Sequence, residues 1–191
     1  MGCLLKLFSV MLACGVMVFF FLDQDTTLVT TSVTQALLTQ FNFNNTNNNN
    51  ASTLAYELAF RIDLRNPNRW YRVYYDNIQI AASYKNQTFA SMNWKSFGQA
   101  RKNTTYLTPS FKGQISGILG GVDDAGASYY DIVIKLNLQN DYLRLYHWIN
   151  MKTQTKTAHT CELKVPLVGD GQSAGAADSF NTIQCGCEYI F

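Results

Sequence analysis

The stretch "TLAYELAFRIDLR", Thr53–Arg65, decides the fold class. Leu54, Tyr56, Leu58, Phe60, Ile62 and Leu64 occupy its even positions, and polar or small residues occupy the odd ones. Side chains that alternate with period two line one face of a β-strand; on a helix the same six would scatter round the cylinder. Burying six such groups contributes roughly 9–18 kcal/mol before chain entropy is subtracted, which makes this a central strand.

The same period returns in Ile78–Tyr84, through Ile78, Ile80, Ala82 and Tyr84, and in Asp131–Gln139, through Ile132, Ile134, Leu136 and Leu138. Tyr142–Met151 is a further β-rich run, and Thr105–Gln114, Cys161–Leu167 and Thr182–Phe191 are shorter candidates. Turn-forming clusters such as "YKNQ", "ILGGVDDAG", "LQND" and "VGDGQSAG" separate them. Seven or eight strands without a soluble helix predict a mainly β fold, an antiparallel Greek-key sandwich of the immunoglobulin or fibronectin III kind. The Asn-rich "FNFNNTNNNNAS" reads as a polar loop.

Immediately after the central strand comes "RNPNRWYRVYYD", Arg65–Asp76. Pro67 lacks an amide hydrogen and keeps Asn66 extended, and asparagines favour turns, so "RNPN" is a corner. The strand that follows places Trp70, Arg72, Tyr74 and Asp76 on one face and Tyr71, Val73 and Tyr75 on the other.

The N-terminus, "MGCLLKLFSVMLACGVMVFFFLDQD", carries no charge from Leu7 to Leu22, and Leu4 and Leu5 extend the run past Lys6. A bilayer-spanning helix needs about 20 apolar residues and tolerates a lysine near its end. Lys6 and the amino terminus on one side, against Asp23 and Asp25 on the other, predict a cytosolic segment 1–6 and an anchor at 7–22. A tether at 23–34 and an extracytoplasmic domain at 35–191 would follow. A cleaved signal peptide has the same polarity but ends in small residues, whereas this run ends in "VFFFL". "MGC" lacks the Ser or Thr that myristoylation favours at position 6.

Four N-glycosylation sequons follow the apolar run, at Asn44, Asn50, Asn86 and Asn103. They fit exposed loops in a secreted topology. Net charge is only +2, yet its distribution is uneven. Residues 61–112 hold nine lysines and arginines against Asp63 and Asp76, while 113–191 hold five against eight acids.

Corner, strand and "FGQARKNTTYLTPSFKG" together resemble the plant harpin-induced and non-race-specific disease resistance-like proteins of the late-embryogenesis-abundant type 2 superfamily. The resemblance is carried by Asn66, Pro67 and Asn68, by Tyr74, Tyr75 and Asp76, and by "KNTT" at Lys102–Thr105, and it spans about Gln35–Leu167. It implies a sandwich on a single-pass anchor, at the plasma membrane or plasmodesmata, that serves pathogen and stress responses without catalysis. The chain differs from many relatives in its short segment ahead of the anchor and in the lack of a hydrophobic C-terminal tail.

Cys161, Cys185 and Cys187 lie in the domain, and an oxidising compartment predicts one disulfide, from Cys161 to Cys185 or Cys187. The competing metal set, His159 with the three cysteines, has zinc-type ligands, but its CxC spacing is shorter than structural zinc sites use. No GxSxG elbow or phosphate loop occurs, Asp123–Asp124 reads as a solvated turn, and His147 between Tyr146 and Trp148 reads as packing. No enzyme and no cofactor is expected, and an outward-facing domain excludes nucleic acid. Arg69, Arg72, Lys95, Arg101 and Lys102 are the candidate anion-binding residues. The expected partners are the bilayer through the helix, a membrane protein, and acidic wall polysaccharide, and the alternative role is a wall-polysaccharide or lipid-binding module that links plasma membrane to wall.

Overall fold

The computed structural model describes residues 2–22, 27–45, 52–117, 127–145, 150–168 and 180–190. Helix α1 is Gly2–Leu22. The strands are β1 (Thr30–Asn45), β2 (Ser52–Arg65), β3 (Tyr71–Tyr84), β4 (Gln87–Trp94), β5 (Phe97–Gln99) and β6 (Thr104–Leu107). They continue with β7 (Ser110–Ser116), β8 (Tyr129–Leu145), β9 (Asn150–Pro166), β10 (Ile183–Gln184) and β11 (Gly186–Tyr189).

The strands form two mainly antiparallel sheets. One has the order β10-β1-β2-β6, with β7 also on β2; the other is β11-β9-β8-β3-β4, with β5 also on β3. The chain passes from one sheet to the other between β2 and β3, β5 and β6, β7 and β8, β9 and β10, and at Cys185 between β10 and β11. Eleven strands among the described residues replace the seven or eight expected. β1, β4 and β5 had no expected counterpart, the run 105–114 breaks at Pro109 and the C-terminus contributes to both sheets. Conversely, β3 joins two expected strands and β8 runs unbroken through the expected turn at 138–141.

The alternation in β2 is realised: Leu54, Leu58, Phe60, Ile62 and Leu64 are buried and Tyr56 packs against them from a partly exposed position. Their partners across the sandwich are Ile78, Ile80 and Ala82 of β3, Ile132, Ile134 and Leu136 of β8, and Leu163 and Val165 of β9. Tyr71, Val73 and Tyr75 also point inward, and a register shift between Tyr75 and Asn77 keeps Ile78 on the same face.

Two expectations change. Residues 30–34 of the expected tether belong to β1, where Thr31 and Val33 are buried, and the expected Asn-rich loop starts inside that strand, with Phe41 in the core. Register shifts between Val33 and Gln35, and between Leu38 and Gln40, reset the inward phase twice. The inward residues fall at 29, 31, 33, then 36, 38, then 41, so no continuous period marked this strand.

The core is graded along its length. Phe41, Tyr84, Phe89 and Tyr130 interlock at one end with centroid distances of 4.5 to 6.2 Å. At the other end, where β2 finishes and β3 begins, the buried polar side chains are Thr31, Asn66, Asn68, Gln99, Asn140 and Asp141. Fourteen residues of β3 separate the two ends by about 43 Å at 3.3 Å per residue.

Along α1 the side chains are described as far as Met17, and Leu4, Leu5, Phe8, Met11, Leu12 and Met17 are all exposed. Among the described residues no helix is long and apolar enough to cross a membrane, so the span expected over 7–22 does not follow from α1 as described.

Candidate functional site

The corner at 66–68 is a buried amide network. The Asn66 side chain is fully enclosed, and its Nδ2 donates to the carbonyls of Tyr71 (3.0 Å) and Ala100 (3.1 Å). Its Oδ1 accepts from the Asn68 amide (3.0 Å) and from Asn68 Nδ2 (2.9 Å), and its own amide donates to the Asn103 carbonyl (2.9 Å). Asn68 reaches further: Nδ2 donates to the Thr27 carbonyl (2.7 Å) and Oδ1 accepts from the Thr27 amide (2.9 Å). Gln99 completes the knot by donating to the carbonyls of Leu64 (2.8 Å) and Asn103 (3.0 Å) while accepting from the Tyr75 hydroxyl (2.6 Å). Burial, with Tyr142 nearby, holds the Tyr75 phenol protonated. Of the "YYD" residues, Tyr75 thus faces the core while Tyr74 and Asp76 are exposed.

This knot sets the backbone on which the basic residues ride. Arg69 follows it directly, its guanidinium 5.4 Å from the Trp70 ring centre, and both side chains are exposed. Lys102 donates its amide to the Asn68 carbonyl (3.2 Å) and adopts φ 51°, which turns the chain from one sheet to the other with Arg101 and Lys102 exposed. Arg72 lies on the outer face of β3, one pair before the Val73–Gln99 pairing. Lys95 does not join them: it follows Trp94, which pairs with Ile78, about 15–20 Å along the sheet. Among the described residues the ion pairs are Arg61–Asp63 (3.2 Å) and Lys112–Glu57 (3.1 Å), and neither involves the corner.

A second group forms on β9 and β11. Cys161 bonds to Cys185 with a Cα separation of 4.4 Å, which resolves the choice that spacing had left open. Cys187 pairs in register with His159, and its Sγ lies 3.6 Å from His159 Nε2, which also lies 3.2 Å from the Thr157 hydroxyl. Of the four candidate zinc ligands two are spent in the disulfide, and among the described residues no trio of His, Cys, Asp or Glu could hold a metal. Burial lowers the His159 pKa to about 4, and burial followed by the Glu188 charge raises that of Cys187. Both shifts oppose a thiolate–imidazolium pair, so the dyad stays neutral.

Neutral burial of His159 has a consequence for stability. The unfolded histidine takes up a proton near 6.5 and the folded one only near 4, so the unfolded state binds more protons in that interval. The full contribution is present above the unfolded value and is lost as pH falls toward 4, about 3 kcal/mol in all. Urea midpoints across that window should therefore decline more steeply for the native chain than for His159→Gln. Parallel curves would remove His159 from the account.

Asn44 and Asn86 are exposed at the aromatic end, Asn86 in the left-handed turn Lys85–Asn86, and Asn103 is exposed at the corner. Asn50, Asp123, Asp124 and His147 lie outside the described residues. No motif or period in the sequence marks Gln99 or Asn140, the latter fully buried without a side-chain partner among the described residues. Only knowledge of which strands abut the corner identifies them.

A family model described as late embryogenesis abundant protein (LEA_2) matches residues 61–157, from β2 through the corner into β9. The chain is 34% identical over 160 residues to NDR1/HIN1-like protein 2 of Arabidopsis thaliana, across 80% of this chain and 62% of that protein. It is 35% identical over 148 residues to NDR1/HIN1-like protein 3 of the same plant, across 74% and 61%. With NDR1/HIN1-like protein 10 it shares 42% identity over 82 residues, across 43% and 34%. The chain spans about three fifths of the length of the first two.

Proposed function

The chain belongs to the late embryogenesis abundant type 2 family and to its NDR1/HIN1-like branch, and from that premise we propose that it is a plasma-membrane interaction protein of plant defence and stress responses. Its sandwich stands outside the cell, at the membrane face or at plasmodesmata, and works by binding and scaffolding. The observation that carries this reading is α1, a helix of 21 residues whose described apolar side chains are exposed on every side. A helix apolar all round is buried either in protein or in a bilayer; α1 as described falls short of a span, and what supports the anchor is the sequence, uncharged from Leu7 to Leu22. The neutral Cys187–His159 pair supports binding over catalysis, since it supplies no activated nucleophile. A second reading, capture of acidic wall polysaccharide, draws on the exposed cations at the corner.

Topology is tested on protein from plant membranes, by gel mobility before and after enzymatic removal of N-glycans and by a carbonate wash. Glycan-dependent mobility with the protein retained in the pellet is the expected result. A soluble protein without glycans would overturn both the anchor and the outward domain. Co-purification of a specific membrane protein separates the scaffold from the wall binder, which would instead bind isolated wall polymers saturably.

A further inference from the structure

We propose that Arg69, Arg101 and Lys102, carried on the corner that also presents Trp70, dock on the anionic phosphate headgroups of the bilayer that α1 enters. The inference rests on the anchoring reading above. Its geometric basis is the pair of hydrogen bonds between Thr27 and Asn68. Four residues separate Leu22 from Thr27, so the chain can carry Thr27 no more than about 18 Å from the helix end. The knot then fixes the rest: Asn68 precedes Arg69, and the Lys102 amide is bonded to the Asn68 carbonyl. Whatever the tilt of the sandwich, this corner is the part of it tied nearest to the helix.

The composition of that corner suits a headgroup layer. Arginine and lysine donate to lipid phosphates and are drawn, over about a Debye length, to such anionic lipid as the facing leaflet holds, and tryptophan settles at the boundary between hydrocarbon and water. Trp70 is exposed beside Arg69, and among the described residues no carboxylate pairs with Arg69, Arg101 or Lys102. At the opposite end of the sandwich lie the sequons at Asn44 and Asn86, about 40 Å away along the strands. Asn103, a further sequon, lies at the corner itself, so the membrane-facing end is marked by its cations and indole and by the tie to the helix, not by the placement of sequons. Wall polysaccharide would need the cations turned away from the helix, which the Thr27–Asn68 bonds oppose.

The test uses the full chain in lipid nanodiscs, either of phosphatidylcholine alone or with one third phosphatidylglycerol. Acylation of individual lysines is read by mass spectrometry, with Lys85 at the far end as reference. Lys102 should react about fivefold more slowly in the anionic discs, Lys85 equally in both, and the difference should vanish in half-molar salt or in Arg69→Gln/Arg101→Gln. Equal reactivity of Lys102 in both discs, with the chain still eluting with the disc, would overturn the docking and leave the anchor standing. Equal reactivity is also what internal pairing with Asp23 or Asp25 would give. A chain that elutes free of the disc would overturn the anchor and the docking together. Protection of Lys102 by added polygalacturonate but not by phosphatidylglycerol would transfer the corner to the wall. An N-glycan mapped to Asn103 in plant material would hold the turn off the bilayer and also overturn the proposal.

Discussion

Asn66→Ala should destabilise the sandwich by about 4 kcal/mol, more than any single surface change. The substitution removes one small polar side chain but takes a partner from four groups: the buried Tyr71 carbonyl, the part-buried Ala100 carbonyl, the Asn68 amide, and one N–H of Asn68 Nδ2, whose other N–H keeps the Thr27 carbonyl. Each unsatisfied buried group costs about 1–3 kcal/mol, and these four share one site, so the sum falls below four independent penalties. Against a domain stability of about 5–15 kcal/mol, that is enough to populate unfolded chain at moderate temperature. Asn66→Asp is expected to be no better. It keeps an acceptor for Asn68 but replaces the Nδ2 amide, with its two N–H donors, by one carboxylate oxygen aimed at the Tyr71 and Ala100 carbonyls. Asn77→Ala, on the exposed face of β3, serves as the control and should stay within about 0.5 kcal/mol. Urea unfolding of the three variants decides the matter, and a shift below 1 kcal/mol for Asn66→Ala would mean that water replaces the network.

The contrast between β2 and β1 shows what the sequence makes legible. In β2 one uninterrupted phase runs from Leu54 to Leu64, and the strand could be placed by alternation alone. β1 is equally central, pairing with β2 along its whole length, yet two bulges split its inward residues into short groups that look like a polar tether and a low-complexity loop. A bulge is a property of the pairing, so a single strand read by itself does not reveal it. The corner was legible as a turn from Pro67 and its flanking asparagines, but not as a buried one. The partners that enclose it come from Thr27, Ala100 and Asn103, far away in sequence. The basic set was half legible for the same reason: spacing grouped Lys95 with Arg69, while strand register sets it apart.

Cys161→Ala/Cys185→Ala is expected to lose about 3.5 kcal/mol and roughly 10 °C in melting temperature. Closing a loop between residues 24 apart restricts the unfolded chain by about that amount. The effect should be local first. β10 and β11 contribute two and four residues, every residue of β11 is exposed, and the disulfide joins their junction to the buried Cys161. Without it, amides in 183–190 should exchange freely before the rest of the sandwich opens. The single variant Cys185→Ala tests the register itself. Cys187 stands opposite His159, two pairs away from Cys161, and the diagonal between such positions is about 7–8 Å. A disulfide spans at most about 6.8 Å between Cα atoms, so Cys187 cannot replace Cys185 unless β11 slides by two residues. Cys185→Ala should therefore match the double variant in stability, and Cys187→Ala should differ from the native chain by less than about 1 kcal/mol. If Cys185→Ala instead keeps native stability and peptide mapping finds Cys161 joined to Cys187, the edge strand has two registers of similar energy. The seam would then be an exchangeable link, and the Cys187–His159 contact one of two alternative states.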